Sequence, residues 1–185
     1  MMTVLCLSGC GGTAMIEPGH RGLLFNPYRD GVSDPAGGLH DLVLVPGAHF
    51  IPEGARVDDF DVTYSTRREP LHVLTSEGIA IDAEMSIIYR PIITELYQLD
   101  AEVGPNYYAE VIGPEFRAAS RACFAAHSIT DLPDQHSKLE EEVEANVRRR
   151  VVGKHVEIAS VTFEGVKLPS EIGERQKLQR AAEGR

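Results

Sequence analysis

Cysteine is scarce. Cys6, Cys10 and Cys123 are the only three in 185 residues, which cannot make a disulfide framework. Excess positive charge is missing too: the formal net charge is −10. Residues 1–130 hold 17 acids against 8 bases, and 131–185 hold 11 against 10, so even the more basic part is only near neutral. Without a basic stripe the chain is not built to grip nucleic-acid phosphates or to dock on anionic lipid through a polybasic patch. Catalytic signatures are absent as well. The seven histidines form no H-x-x-x-H or H-E-x-x-H pair, Cys10-Gly11-Gly12 lacks the lysine and spacing of a phosphate loop, and there is no G-x-S-x-G elbow. No active site, metal site or cofactor site is legible. What remains is a chain long enough for one domain or two small ones, able to bury a core without cystine.

Met1 to Ile16 holds no charged side chain, and Glu17 is the first. Leu7-Ser8-Gly9-Cys10 resembles a bacterial lipobox, in which small residues admit a peptidase and the thiol of Cys10 accepts the lipid. Cys10 is therefore the candidate lipidation site. No Lys or Arg precedes the apolar run, and that run, Met1 to Leu7, sits at the lower edge of the ~7–15 residues of a signal h-region; a start codon placed too late accounts for both. Two other readings stand beside it: the stub of a transmembrane helix, too short to span alone at roughly 20 residues per crossing, or an ordinary buried strand. Cys6 and Cys10 as zinc ligands lack a second pair at the right spacing.

The chain is organised around Gly78–Arg90. Ile79, Ile81, Ala83, Met85 and Ile87 alternate with Asp82, Glu84 and Ser86, the period-two pattern of a strand with one buried and one wet face. Ser76-Glu77-Gly78 makes a hairpin connection to Leu71–Thr75. Arg90-Pro91 closes the strand, with Pro91 suited to open a helix. Upstream, short strands alternate with turns: Leu23–Phe25, Leu42–Val45, His49–Pro52, and a set with Val57, Phe60, Val62 and Tyr64 inward. Asn26 to Gly38 is a loop rich in Asp, Gly and Pro.

Downstream the period changes to that of helices. Ile92, Leu96 and Leu99 form a short stripe; Tyr108, Val111, Ile112, Phe116, Ala119 and Cys123 form a longer one. Gly113-Pro114 inside the second predicts a kink. Leu139, Val143, Val147 and Val151 line a third helix, with acids at its start and Arg148–Arg150 at its end, as the helix dipole favours. The acidic cluster Glu140–Glu144 reads as a solvated face, not as paired catalytic carboxylates. Cys123 reads as a small core hydrophobe. His155–Lys167 is a strand whose inward set shifts from Val156/Ile158 to Val161/Phe163, and Ser170 can cap a last amphipathic stretch to Ala182.

Six pieces in order carry a resemblance. They are Ile16-x-Pro18-Gly19-His20-Arg21-Gly22; Val45-Pro46-Gly47-x-His49-Phe50-Ile51-Pro52; Phe60-Asp61-Val62; Leu74-Thr75-Ser76-Glu77-Gly78 through Tyr89-Arg90; Gly104-Pro105 through Phe116-Arg117; and Val166-Lys167-Leu168-Pro169. Together they resemble the SPFH or band 7 superfamily of stomatins, prohibitins and flotillins, with prohibitin-like bacterial members the nearest in pattern. Glu77 stands where that family more usually has aspartate.

The resemblance implies an α+β fold in three parts: residues 1–15 a signal peptide with lipobox or a membrane-anchor stub, 16–169 the SPFH domain, and 170–185 a short C-terminal helix. Within the domain, a β-rich N-terminal subdomain precedes an α/β subdomain. The implied role is a non-enzymatic, membrane-anchored scaffold without cofactors. It would self-associate and organise membrane proteins or regulate a membrane protease, on the extracytoplasmic face if the lipobox is used. Residues 170–185 make only about 24 Å of helix at ~1.5 Å per residue, so weak self-association is expected, not a ring held by helices. The alternative is a soluble or lipid-anchored ligand-binding protein or hydrolase with an unrecognised site.

Overall fold

The computed structural model describes residues 12–25, 43–51, 53–130, 132 and 135–167. Cys6, Cys10, the Asn26–Gly38 loop and the 170–185 helix lie outside the described residues. The fold is α+β, with eight strands and three α-helices among those residues. The chain divides into two compact units: 1–64 with 90–107 and 154–156, and 65–89 with 108–153 and 157–185.

The first unit carries two small sheets. Strand β1 (Gly12–Ile16) pairs antiparallel with β4 (Gly47–Ile51). Strands β3 (Val43–Leu44), β2 (His20–Phe25) and β5 (Arg56–Asp61) form the other, with β2 in the middle. Ile16, Ile51 and Val57 form a buried cluster, with Ala14, Leu24, Leu44 and Ala55 against it. Gly22 permits this packing: a Cβ there would meet Ile16 Cδ1 at 2.7 Å and Val57 Cγ1 at 2.8 Å. Helix α1 (Leu96–Glu102) buries Leu96 and Leu99 completely. Strand β1 starts four residues ahead of Ile16, so part of the uncharged N-terminal stretch is strand. Tyr64, expected inward, is exposed because β5 ends at Asp61.

The second unit is built on one three-stranded sheet, order β6-β7-β8, in which β6 and β7 pair antiparallel. The organising stretch is its central strand β7 (Ala80–Pro91), flanked by β6 (Ser65–Leu74) and β8 (Val156–Lys167). Ile81, Ala83, Met85 and Ile87 are all at most 3% exposed, as their alternation requires. Pro91 is the last strand residue, not the first of a helix: Ile92 stays extended and a 3-10 turn, Ile93–Glu95, begins only after it. Pro91 has no N–H to offer a ladder, so it can end a strand as readily as open a helix. Ser86 lies on the outer face as expected but is buried, since its hydroxyl donates to Glu164 at 2.8 Å and Arg68 reaches the same carboxylate at 3.8 Å.

Helix α2 (Gly113–Phe124) follows a π-helical turn, Tyr108–Ile112. The expected irregularity at Gly113-Pro114 is this turn: Pro114 cannot donate to the preceding turn, and the wider helix absorbs the loss. Ile112, Phe116, Ala119 and Cys123 are buried. Helix α3 (His136–Arg150) buries Leu139, Val143 and Val147, with Val151 just beyond its end. Gly153, at φ +74°, turns the chain out of the helix. In β8 the buried set slips from Val156 and Ile158 to Val161, with Phe163 half-buried.

Candidate functional site

Four groupings of polar or exposed side chains stand out. The first lies under the π turn. Glu69, on the inward-facing side of β6, is 17% exposed at its side chain. It accepts from the Tyr108 hydroxyl at 2.7 Å, and Arg117 Nη1 lies 3.3 Å from its other oxygen. Tyr108 stacks on Tyr89 with ring centroids 5.0 Å apart, and the Arg67 guanidinium sits 5.5 Å from the Tyr108 ring centre. Burial, then the bond to Glu69, pushes the Tyr108 hydroxyl well above the ordinary phenol range. The phenol therefore stays a donor, and both Glu69 oxygens are taken, one by Tyr108 and one by Arg117. This network ties the turn to the sheet.

The second grouping corrects the reading of Glu140–Glu144. These carboxylates are not simply solvated. Glu140 accepts from the backbone N–H of Phe163 at 2.8 Å and Glu144 from that of Val161 at 3.3 Å. Arg148 donates to the carbonyls of Ile158 and Ala159 at 3.0 and 2.8 Å, and pairs with Glu144 at 2.8 Å. Helix α3 thus occupies the backbone groups along the outer edge of β8. Glu142 takes His127 at 2.8 Å and Lys138 at 3.8 Å. The spacing that would have suggested this is Glu140, Glu144 and Arg148, four residues apart on one face.

The third is His155, which sequence reasoning passed over. It holds a left-handed backbone, φ +62°, costly for a residue with a Cβ. Its ring is held by Glu95 at 2.8 Å through Nδ1, while Nε2 lies 3.3 Å from Glu102 without a hydrogen bond. Its carbonyl accepts from Ile92 N–H. Among the described residues no three His, Cys, Asp or Glu side chains form a metal-holding group.

The fourth is a cleft of about 260 Å³ in the first unit, lined by Arg21 of β2, Val43 of β3, Val45, Ile93, and Leu96 and Tyr97 of α1. On the β1–β4 sheet, Met15 and Phe50 are 68% and 71% exposed. His49 donates through Nε2 to the Val45 carbonyl at 2.7 Å and is a structural residue. Cys123 is buried and free, with Asn146 Nδ2 donating to its sulfur at 3.2 Å. Among the described residues no helix is long and apolar enough to cross a membrane.

Residues 14–185 match the model of the SPFH domain / Band 7 family, and the chain belongs to that family. It is similar to Prohibitin 1 of Mus musculus, 21% identical over 174 residues, covering 91% of this chain and 61% of that protein. Prohibitin 1 of Gallus gallus is also 21% identical over 174 residues, again covering 91% of this chain and 61% of that protein. Prohibitin-6, mitochondrial, of Arabidopsis thaliana is 22% identical over 161 residues, with 84% and 52% covered. The chain thus spans little more than half to three fifths of these relatives.

Proposed function

We propose that the protein is a membrane-anchored scaffold that self-associates and organises membrane proteins or regulates a membrane protease, acting by binding and not by turnover. The observation that carries this reading is the band 7 match along residues 14–185. A lipid on Cys10 is the proposed anchor, which places the protein on the extracytoplasmic face of a bacterial membrane. Two features favour it. Strand β1 begins at Gly12, two residues beyond Cys10, so an acyl anchor there leaves almost no tether. The same strand exposes Met15, and its partner exposes Phe50, apolar groups suited to an interface. Two acyl chains are enough for stable anchoring, at ~0.8 kcal/mol per buried methylene.

The test is membrane flotation of the natively expressed full chain and of Cys10→Ala, with intact mass for each. A wild-type mass carrying lipid and beginning at Cys10, with Cys10→Ala released to the soluble fraction, is expected. An unmodified Met1 chain that floats equally well in both forms rejects the lipid anchor. Scaffolding is tested separately, by sedimentation of the detergent-extracted protein over a range of concentrations; a monomer throughout argues against it.

A further inference from the structure

We propose that the cleft between β2–β3 and α1 binds a single-chain amphiphile with an anionic head, its carboxylate on Arg21 and its alkyl chain along Val43, Val45 and Ile93. In a chain of net charge −10, a cation near the apolar interior would be expected to have an acidic partner. Arg21 is half-buried, and its one described hydrogen bond runs from Nη1 to the His20 carbonyl at 2.8 Å. No acid pairs with it among the described residues. A guanidinium has five N–H donors in a planar fork that suits a carboxylate, and among the described residues only one of them is engaged.

The walls supply the rest of the chemistry. Arg21 lies one residue beyond the Gly22–Leu44 pair, which puts it opposite Val45 and on the same face as Val43. That face is closed on the other side by Ile93, Leu96 and Tyr97. Val45 is 55% and Ile93 37% exposed, so the apolar groove opens to solvent at one end and the cation stands beside it. Thr94 and Gln98 are the other polar residues of the lining. A peptide would bring backbone amides that this lining has too few partners to satisfy, whereas an alkyl chain brings none. The volume, about 260 Å³, lies just under the ~300–1,000 Å³ of typical ligand pockets, which favours one chain of medium length over a sterol or a diacyl lipid.

The probe is sodium decanoate, titrated calorimetrically into the full chain below its critical micelle concentration. Decanol and decyltrimethylammonium serve as neutral and cationic controls, and a short apolar peptide with a free carboxylate as a competitor. Saturable one-to-one binding of decanoate is expected, with Arg21→Met weakening it roughly 10-fold or more and leaving decanol within about twofold. Arg21→Lys, which keeps the charge, restores part of the loss. Ile93→Glu weakens both ligands; it guards the argument if Arg21→Met does not melt cooperatively. Absence of saturable binding, equal binding of decanoate and the cation, or an unchanged affinity in Arg21→Met overturns the proposal. Tighter binding of the peptide than of decanoate overturns the ligand class. The proposal does not depend on Cys10, and lipidation leaves its outcome unaffected.

Discussion

The backbone N–H of Phe163 donates to the carboxylate of Glu140 at 2.8 Å. With Glu144 on Val161 and Arg148 on the Ile158 and Ala159 carbonyls, one helix face occupies the edge of β8. An uncovered edge strand is a template for pairing with another chain. The opposite edge, β6, carries Arg67, Arg68 and Pro70, and proline and charge blunt an edge in another way. Both edges of the sheet are therefore blunted against strand addition.

The first prediction concerns that cap. Glu140→Ala with Glu144→Ala removes two charge-assisted acceptors and is expected to cost about 1–3 kcal/mol in urea unfolding, because the freed N–H groups can still reach water. The same variant should associate more readily as concentration rises. If it unfolds at the parent midpoint and sediments as the parent does, the cap contributes neither stability nor protection.

Gly22 provides the second. An alanine Cβ would stand 2.7 Å from Ile16 Cδ1 and 2.8 Å from Val57 Cγ1, so Gly22→Ala should destabilise by about 1–3 kcal/mol through overpacking. Ile16→Val removes the closest atom. The double variant is expected to lose less than the sum of the two single changes, and a double-variant cycle in urea measures the difference. Strict additivity would show that the crowding is relieved elsewhere.

How much of this was legible beforehand follows from range. β7 and the α3 stripe were readable because a buried face repeats within a dozen residues: Ile81 to Ile87, and Leu139 to Val151. The start of β6 was not, because Thr66-Arg67-Arg68-Glu69-Pro70 has no apolar alternation; pairing with β7 makes it strand. The edge cap joins residues 17 and 23 apart, which no local pattern encodes. The division into units was also hidden. Residues 90–107 and 154–156 belong with the N-terminal strands, not with the helical half that surrounds them in sequence. The cleft depends on that return, since Arg21 meets Ile93 and Tyr97 only once the chain comes back.

The third prediction is a pH dependence. The Thr63 hydroxyl donates to Asp61 Oδ1 at 2.7 Å and its N–H to the same oxygen at 2.8 Å. Led by the hydroxyl bond, these hold the Asp61 carboxyl below its ordinary value of 3.8. A carboxylate lowered on folding adds stability that is present above the unfolded pKa and is lost as pH falls through the folded one. Thr63→Val should bring the Asp61 titration, followed by carboxyl carbon NMR, back up, and should flatten the acid limb of stability below about pH 4. An unmoved Asp61 titration would assign the lowering to another group.

The last prediction uses Cys123. Its thiol lies on the buried face of α2 at 4% exposure, and burial raises its pKa, with the Asn146 amide pulling the other way from 3.2 Å. The thiolate is the reactive form, so two factors slow alkylation in the folded protein: a small thiolate fraction and a closed path. Labelling at neutral pH should then wait on opening of the α2 helix and follow its stability. Iodoacetamide pulses with peptide-resolved mass spectrometry separate this site from Cys6 and Cys10. The expected Cys123 signal is slow in buffer, rises steeply through the urea transition, and rises earlier in Glu140→Ala/Glu144→Ala if the edge cap supports the same unit. Modification of Cys123 in native protein at the rate of an unfolded peptide would mean that this face of α2 is open, and the assignment of Cys123 to the core would be wrong.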